Sequence, residues 1–299
     1  MHETHTTPSH AEDHDLGLAH DLHTLANSAV HLCADRRQAL RCLLGAGALM
    51  LVGCGGGGES SSSAAGGTST SSTGSTTGAG GSVGSCSVIP EETAGPYPGD
   101  GSNSNSAGLA NALALSGIVR SDIRSSIAGG AATATGVPLT IQLRLVNTAG
   151  GCADLSGYAI YLWHCDRDGK YSMYSSGLTG ENYLRGVQST DSSGVASFTT
   201  IFPGCYAGRM PHVHFEVYRS ETTATQYSNK LKTSQLAFPV AVCQTVYATT
   251  GYSASVRNLS QISFTTDNVF SDGVNLQTAD VTGNTVDGYV ATLTVGISA

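Results

Sequence analysis

The chain has 299 residues, of which 38 are glycine and 12% are charged, and its formal net charge is -8. An acidic balance without clustered Lys and Arg excludes a generic nucleic-acid binder, because neutralising phosphates requires basic patches. No apolar run reaches the roughly 20 residues that cross a bilayer, which excludes a polytopic membrane protein.

Residues 1–53 read as a signal region. Seven of the ten histidines fall in its first 35 residues (His2, His5, His10, His14, His20, His23 and His31), without apolar periodicity, as in a disordered leader. Arg36-Arg37-Gln38-Ala39-Leu40 resembles a twin-arginine export signal, and the apolar stretch Cys42–Gly53 has the length of a signal h-region. It ends in Leu51-Val52-Gly53-Cys54, which resembles a bacterial lipobox. Cys54 is therefore the expected lipidation site, and a membrane surface in the cell envelope or outside the cell is the expected location. The competing reading is an ordinary cleaved signal. Residues 54–85 form a Gly/Ser/Thr-rich linker with a reach of about 30 Å.

Residues 86–299 read as one all-β domain, a sandwich or barrel. Runs rich in Val, Ile, Thr, Tyr and Phe predict strands at Gly117–Ile123, Val137–Asn147, Tyr158–Asp166, Val195–Phe202, Val213–Ser220, Ser234–Pro239, Ile262–Thr266 and Tyr289–Ile297. Turn signals separate them at Gly150-Gly151, Asp168-Gly169, Ser193-Gly194, Pro203-Gly204 and Asp272-Gly273. Leu109–Leu115 suits a short helical turn, and no long 3.6-residue stripe occurs past residue 90. Of the eight cysteines, Cys86, Cys152, Cys165, Cys205 and Cys243 lie in this domain. Five is odd, so at least one is free or pairs between chains, and spacing does not give the connectivity.

Only three histidines lie outside the leader, and two form His212-Val213-His214. In a strand, residues i and i+2 share a face, so both imidazoles can share one metal. Val213 and Phe215 alternate with them, as expected when the histidines face a pocket and the apolar residues pack behind. Tyrosine is frequent, twelve against six Phe and one Trp. A phenolate is a hard anionic ligand that forms near neutral pH only beside a strong Lewis acid such as Fe(III). Two phenolates cancel two of that ion's three charges. His164 beside Trp163 reads as a strand residue, and Asp166-Arg167-Asp168-Gly169 as a plain turn rather than a calcium loop, for which acids are missing.

Several segments in order resemble the intradiol ring-cleavage dioxygenases, of catechol and protocatechuate dioxygenase type. They are Glu92-Thr93-Ala94-Gly95-Pro96-Tyr97, Ser156–Trp163, Thr190–Gly194 with Phe198–Ile201, Pro203-Gly204-Cys205-Tyr206, Arg209–Phe215 and Gln235 within Ser234–Phe238. The resemblance implies an all-β sandwich of that type holding non-haem Fe(III) through Tyr171, Tyr206, His212 and His214. Tyr174, three residues beyond Tyr171, is the alternative fourth ligand. It implies that Tyr206 leaves the metal when substrate chelates, and that Arg209 and Gln235 are catalytic residues beside the ligands, the Arg offsetting negative charge on the aromatic. It also implies that Tyr97 lines the pocket mouth. The implied reaction inserts O2 between the two hydroxylated carbons of a catechol-type aromatic to give a cis,cis-muconate. The segment between Tyr206 and His212 is shorter than in well-known members, the helical dimerisation region is absent, and residues 241–299 match no motif; an oligomer is left open. A lipid-anchored, non-enzymatic binding domain and an HxH copper or zinc protein are the competing readings.

Overall fold

The computed structural model describes residues 86–299. The signal region, the linker, Cys54 and the leader histidines lie outside the described residues. Among the described residues, eleven strands are arranged in two main sheets and one hairpin. The hairpin is β1 (Asp100–Asn105) with β2 (Gly108–Asn111). The first sheet contains β3 (Pro138–Asn147), β4 (Ala153–Asp154), β7 (Val195–Ile201), β10 (Asp280–Asn284) and β11 (Gly288–Ile297). Its order is β10-β11-β3-β4, with β7 also pairing β3. The second sheet runs β6-β5-β8-β9, built from β5 (Ala159–Trp163), β6 (Arg185–Ser189), β8 (His212–Tyr218) and β9 (Lys232–Ala237). All pairings are antiparallel except β11 with β3, which run parallel from Tyr289↔Leu139 to Ile297↔Asn147.

Alternation explains the sandwich. In β3, Leu139, Ile141, Leu143 and Leu145 point one way; Ala196 and Phe198 of β7 and Ala291, Leu293 and Val295 of β11 join them. Ile160 and Leu162 of β5 and Val213, Phe215 and Val217 of β8 meet this layer in one buried cluster. The other face of the second sheet is also covered. Tyr161, Trp163, Val187 and Tyr218 pack with Ala110, Ala112, Leu113, Ile118, Tyr171 and Tyr206 in a second cluster. Every residue of β8 is consequently buried, the polar ones included.

The all-β expectation holds, and six of the eight predicted strands are present. Two are corrected. Gly117–Ile123 makes only single bridges, Val119 to Val187 and Asp122 to Thr199, before turning away. Ile262–Thr266 is a turn closed by Thr266 N donating to Ser263 O at 3.0 Å. Leu109–Leu115 is not helical: its first residues are the end of β2. Past β9 the chain forms two short helices, α1 (Val240–Tyr247) and α2 (Ser253–Leu259). Cys86 and Cys152 form a disulfide, while Cys165, Cys205 and Cys243 are free and buried.

Candidate metal centre

His212 and His214 stand on the face of β8 away from the sandwich core. His212 Nδ1 donates to the Met210 carbonyl at 2.6 Å, so Nε2 carries the lone pair. That Nε2 lies 3.0 Å from His214 Nε2 and 3.3 Å from the Tyr206 hydroxyl. The strand register pairs His214 with Trp163 on one side and Gln235 on the other. The Trp163 ring lies flat on the His214 imidazole, centroids 4.9 Å apart at 3°. Burial, then the Arg209 cation, holds His212 well below the usual imidazole range. Burial, then His212 and Arg209, does the same for His214. Both imidazoles are therefore neutral and able to donate lone pairs at neutral pH.

The C-terminal helices place Tyr206. Ser255 Oγ of α2 accepts from Cys205 N at 2.9 Å, Asn258 Nδ2 donates to Cys205 O at 2.7 Å, and Tyr247 of α1 donates to Pro203 O at 3.1 Å. The same loop presses on the turn that precedes Tyr171. A Cβ on Gly204 would sit 2.6 Å from Arg167 O, so only glycine permits that approach. In that turn Asp166 Oδ1 accepts from Asp168 N and Lys170 N, at 3.0 and 2.9 Å. Asp166 thus serves the turn, as expected.

Tyr171 is brought to the cluster. Its ring centroid lies 5.9 Å from that of Tyr206 and 6.3 Å from that of His214. Its hydroxyl is buried without a hydrogen-bond partner. Burial, then the neighbouring Tyr206 phenol, raises its pKa well above the ordinary value. Tyr174 turns elsewhere: its hydroxyl donates to Asn103 Oδ1 at 2.6 Å and accepts from Gly99 N at 2.8 Å. Tyr97 is half-buried over Tyr171, centroids 4.9 Å apart. His164 is fully engaged away from the cluster, Nδ1 with Cys165 O and Nε2 with Thr200 Oγ1, both at 2.7 Å.

This donor set fits a hard trivalent cation. Two imidazole lone pairs and one phenol oxygen converge within hydrogen-bond distances, and a second buried phenol beside them is orphaned. No group of three or more His, Cys, Asp or Glu among the described residues suits a metal. A metal at the imidazole pair would therefore draw its other protein donors from Tyr171 and Tyr206.

Arg209 and Gln235 adjoin the cluster, tied together by Arg209 Nη2 donating to Gln235 Oε1 at 2.7 Å. Gln235 Nε2 donates to Thr93 O at 2.9 Å, which draws segment 92–97 across the site. A Cβ on Gly95, at φ +70°, would lie 3.4 Å from His214 Cε1. Sequence reading missed three contributors: Trp163, whose stacking needed the strand register, and Asp267 and Gln277, which lie in the region 241–299, where the sequence alone shows no motif. Asp267 is fully buried against Arg209. Gln277 Nε2 donates to Gln235 O at 3.3 Å and to Glu92 Oε1 at 3.2 Å.

A family model described as Dioxygenase matches residues 121–295, Asp267 and Gln277 included. Among solved structures, an intradiol ring-cleavage dioxygenase from Tetranychus urticae is similar at 23% identity, covering 71% of this chain and 95% of its own, with a TM-score of 0.53. A second dioxygenase structure is similar at 23% identity over 71% of this chain and 94% of its own, with a TM-score of 0.54. The dioxygenase domain of a carbohydrate-binding fusion protein from Streptomyces sp. SirexAA-E is also 23% identical, over 71% and 99%, at a TM-score of 0.43. No curated protein matches. With more than half its length matched, the chain belongs to the dioxygenase family, and its fold is that of an intradiol ring-cleavage dioxygenase.

Proposed function

We propose that this chain cleaves catechol-type aromatics between their two hydroxylated carbons, with O2 as co-substrate, and that Tyr171, Tyr206, His212 and His214 hold a non-haem ferric ion. The observation that carries the reading is the convergence of Tyr206 Oη, His212 Nε2 and His214 Nε2 beside the orphaned Tyr171 hydroxyl. A ferric ion there would act as a Lewis acid that acidifies substrate hydroxyls and draws electron density from the ring.

The chain's own residues do the rest. Met210 O and Trp163 fix the two imidazoles in position, so these two donors are pre-oriented before substrate arrives. Tyr206, at the edge of the cluster and 8% exposed, would be held as a phenolate by the metal, and that oxygen could then take the proton of an arriving hydroxyl. Tyr97, half-buried and packed over the Tyr171 ring, is the aromatic side chain placed to meet a flat substrate at the edge of the cluster. Arg209, 4% exposed, stands near both phenols as one half of an ion pair with Asp267; burial would lower its pKa, but Tyr206, Asp267 and Tyr171 more than reverse this, and it stays protonated. The proposal includes export and lipid attachment at Cys54, which rest on residues 36–54 of the sequence; mass spectrometry of the mature N-terminus tests them.

Iron-loaded protein is expected to show a broad visible tyrosinate-to-iron band and to take up O2 with catechol, protocatechuate or hydroxyquinol. Tyr206→Phe should change the band and slow turnover. Colourless protein that stays inactive after iron loading overturns the reading.

A further inference from the structure

Asp267 lies in the C-terminal region, far in sequence from every residue of the donor cluster. Its carboxylate is 0% exposed and accepts from Arg209 Nε at 3.2 and 3.1 Å through its two oxygens. It also accepts from Met210 N at 2.6 Å, Val269 N at 2.8 Å and Phe270 N at 3.2 Å. Met210 is the residue whose carbonyl fixes His212, and Phe270 carries both the His212 ring, centroids 6.4 Å apart, and the Arg209 guanidinium, 5.7 Å from its centroid.

We propose that Asp267 is the positioning residue of the site: it fixes the direction of the Arg209 guanidinium and cancels most of its charge, so that the two phenols face a nearly neutral ion pair. The inference rests on the ferric-tyrosinate reading above. Two features carry it. The guanidinium is held by its Nε edge to Asp267 and by Nη2 to Gln235, which leaves it no freedom to rotate. Removing one partner of a buried pair uncovers the whole charge of the other in a poorly screened place.

Opposite substitutions then have opposite effects. In Asp267→Asn an uncompensated guanidinium stabilises the phenolates electrostatically, which widens the gap for electron transfer from phenolate to iron. In Arg209→Gln an uncompensated carboxylate does the reverse. The experiment is visible absorption of the iron-loaded protein and its variants, without substrate. Asp267→Asn should move the band to shorter wavelength, Arg209→Gln to longer wavelength, and the double variant back toward the wild-type position. Shifts of the same sign in both single variants, or a band that stays at its wild-type position in both, overturn the inference. Should Asp267→Asn fail to fold, the Arg209→Gln shift decides alone: a move to longer wavelength supports the proposal, and any other result overturns it. A colourless wild-type protein sinks the functional reading itself; a coloured one without opposed shifts sinks only the role of Asp267.

Discussion

Tyr171→Phe separates what the site costs from what it does. The Tyr171 side chain is 1% exposed, and its hydroxyl, beside the Tyr206 phenol, makes no well-formed hydrogen bond. An unpaired buried hydroxyl costs about 1–3 kcal/mol. Phenylalanine removes that cost and keeps the ring contacts with Tyr97 and Tyr206. The metal-free variant should therefore be more stable than wild type by about 1–3 kcal/mol. Iron reverses the order: a ligand at one hundred times its Kd stabilises by about 2.7 kcal/mol, and the variant loses a donor and much of that gain. Urea denaturation of both proteins, with and without iron, reads the four values. A metal-free Phe variant less stable than wild type by about 1 kcal/mol would mean that the hydroxyl is bonded in the fold, and the argument from its orphaned state would fail.

Two further outcomes follow, one from a buried imidazole and one from a glycine beside the cluster. Burial holds His164 neutral, its pKa pushed down to about 4 against about 6.5 in the unfolded chain. Between those values the unfolded chain binds the extra proton, so this contribution is complete above pH 6.5 and lost as pH falls toward 4, about 3 kcal/mol in all. Urea titrations at pH 7 and 4 should show a smaller acid loss in His164→Gln than in wild type; equal losses refute the assignment. Gly95 adopts φ +70°, and a Cβ added there would meet His214 Cε1 at 3.4 Å. Gly95→Ala should cost about 1–2 kcal/mol of backbone strain, and Gly95→Val more, with lower iron content per chain by metal analysis. Full iron content in the Val variant would place segment 92–97 away from the ligands.

The strands that were readable share one property: each has a face in the sandwich core. Val195–Ile201 and Gly288–Ile297 alternate cleanly, and their predicted bounds differ from the observed ones by one residue at most. β1, with the sequence Asp-Gly-Ser-Asn-Ser-Asn, has no apolar alternation and could not be found that way. β6 carries a buried arginine, Arg185, whose guanidinium donates to Ser172 O, Tyr97 O and Pro98 O, a use that only tertiary structure reveals. Ile262–Thr266 failed in the opposite sense: its β-branched residues sit in a turn closed by side-chain hydroxyls, where Ser263 N donates to Thr266 Oγ1. The His pair and its face were legible because period-2 geometry is local. Convergence with Tyr171 and Tyr206 rested on family resemblance. Asp267 was invisible because a lone acid in Thr-Thr-Asp-Asn-Val-Phe carries no signal of its distant partner.

The parallel pairing of β11 with β3 joins segments about 150 residues apart, and Asp267 and both helices that hold the Tyr206 loop lie between them. A chain growing on the ribosome thus leaves one edge of β3 unpaired until β11 has been made. The first sheet can be completed only once synthesis has passed residue 297, and such long-range closure is slow. Holdase chaperones that shield that edge during the delay should raise the yield of native protein.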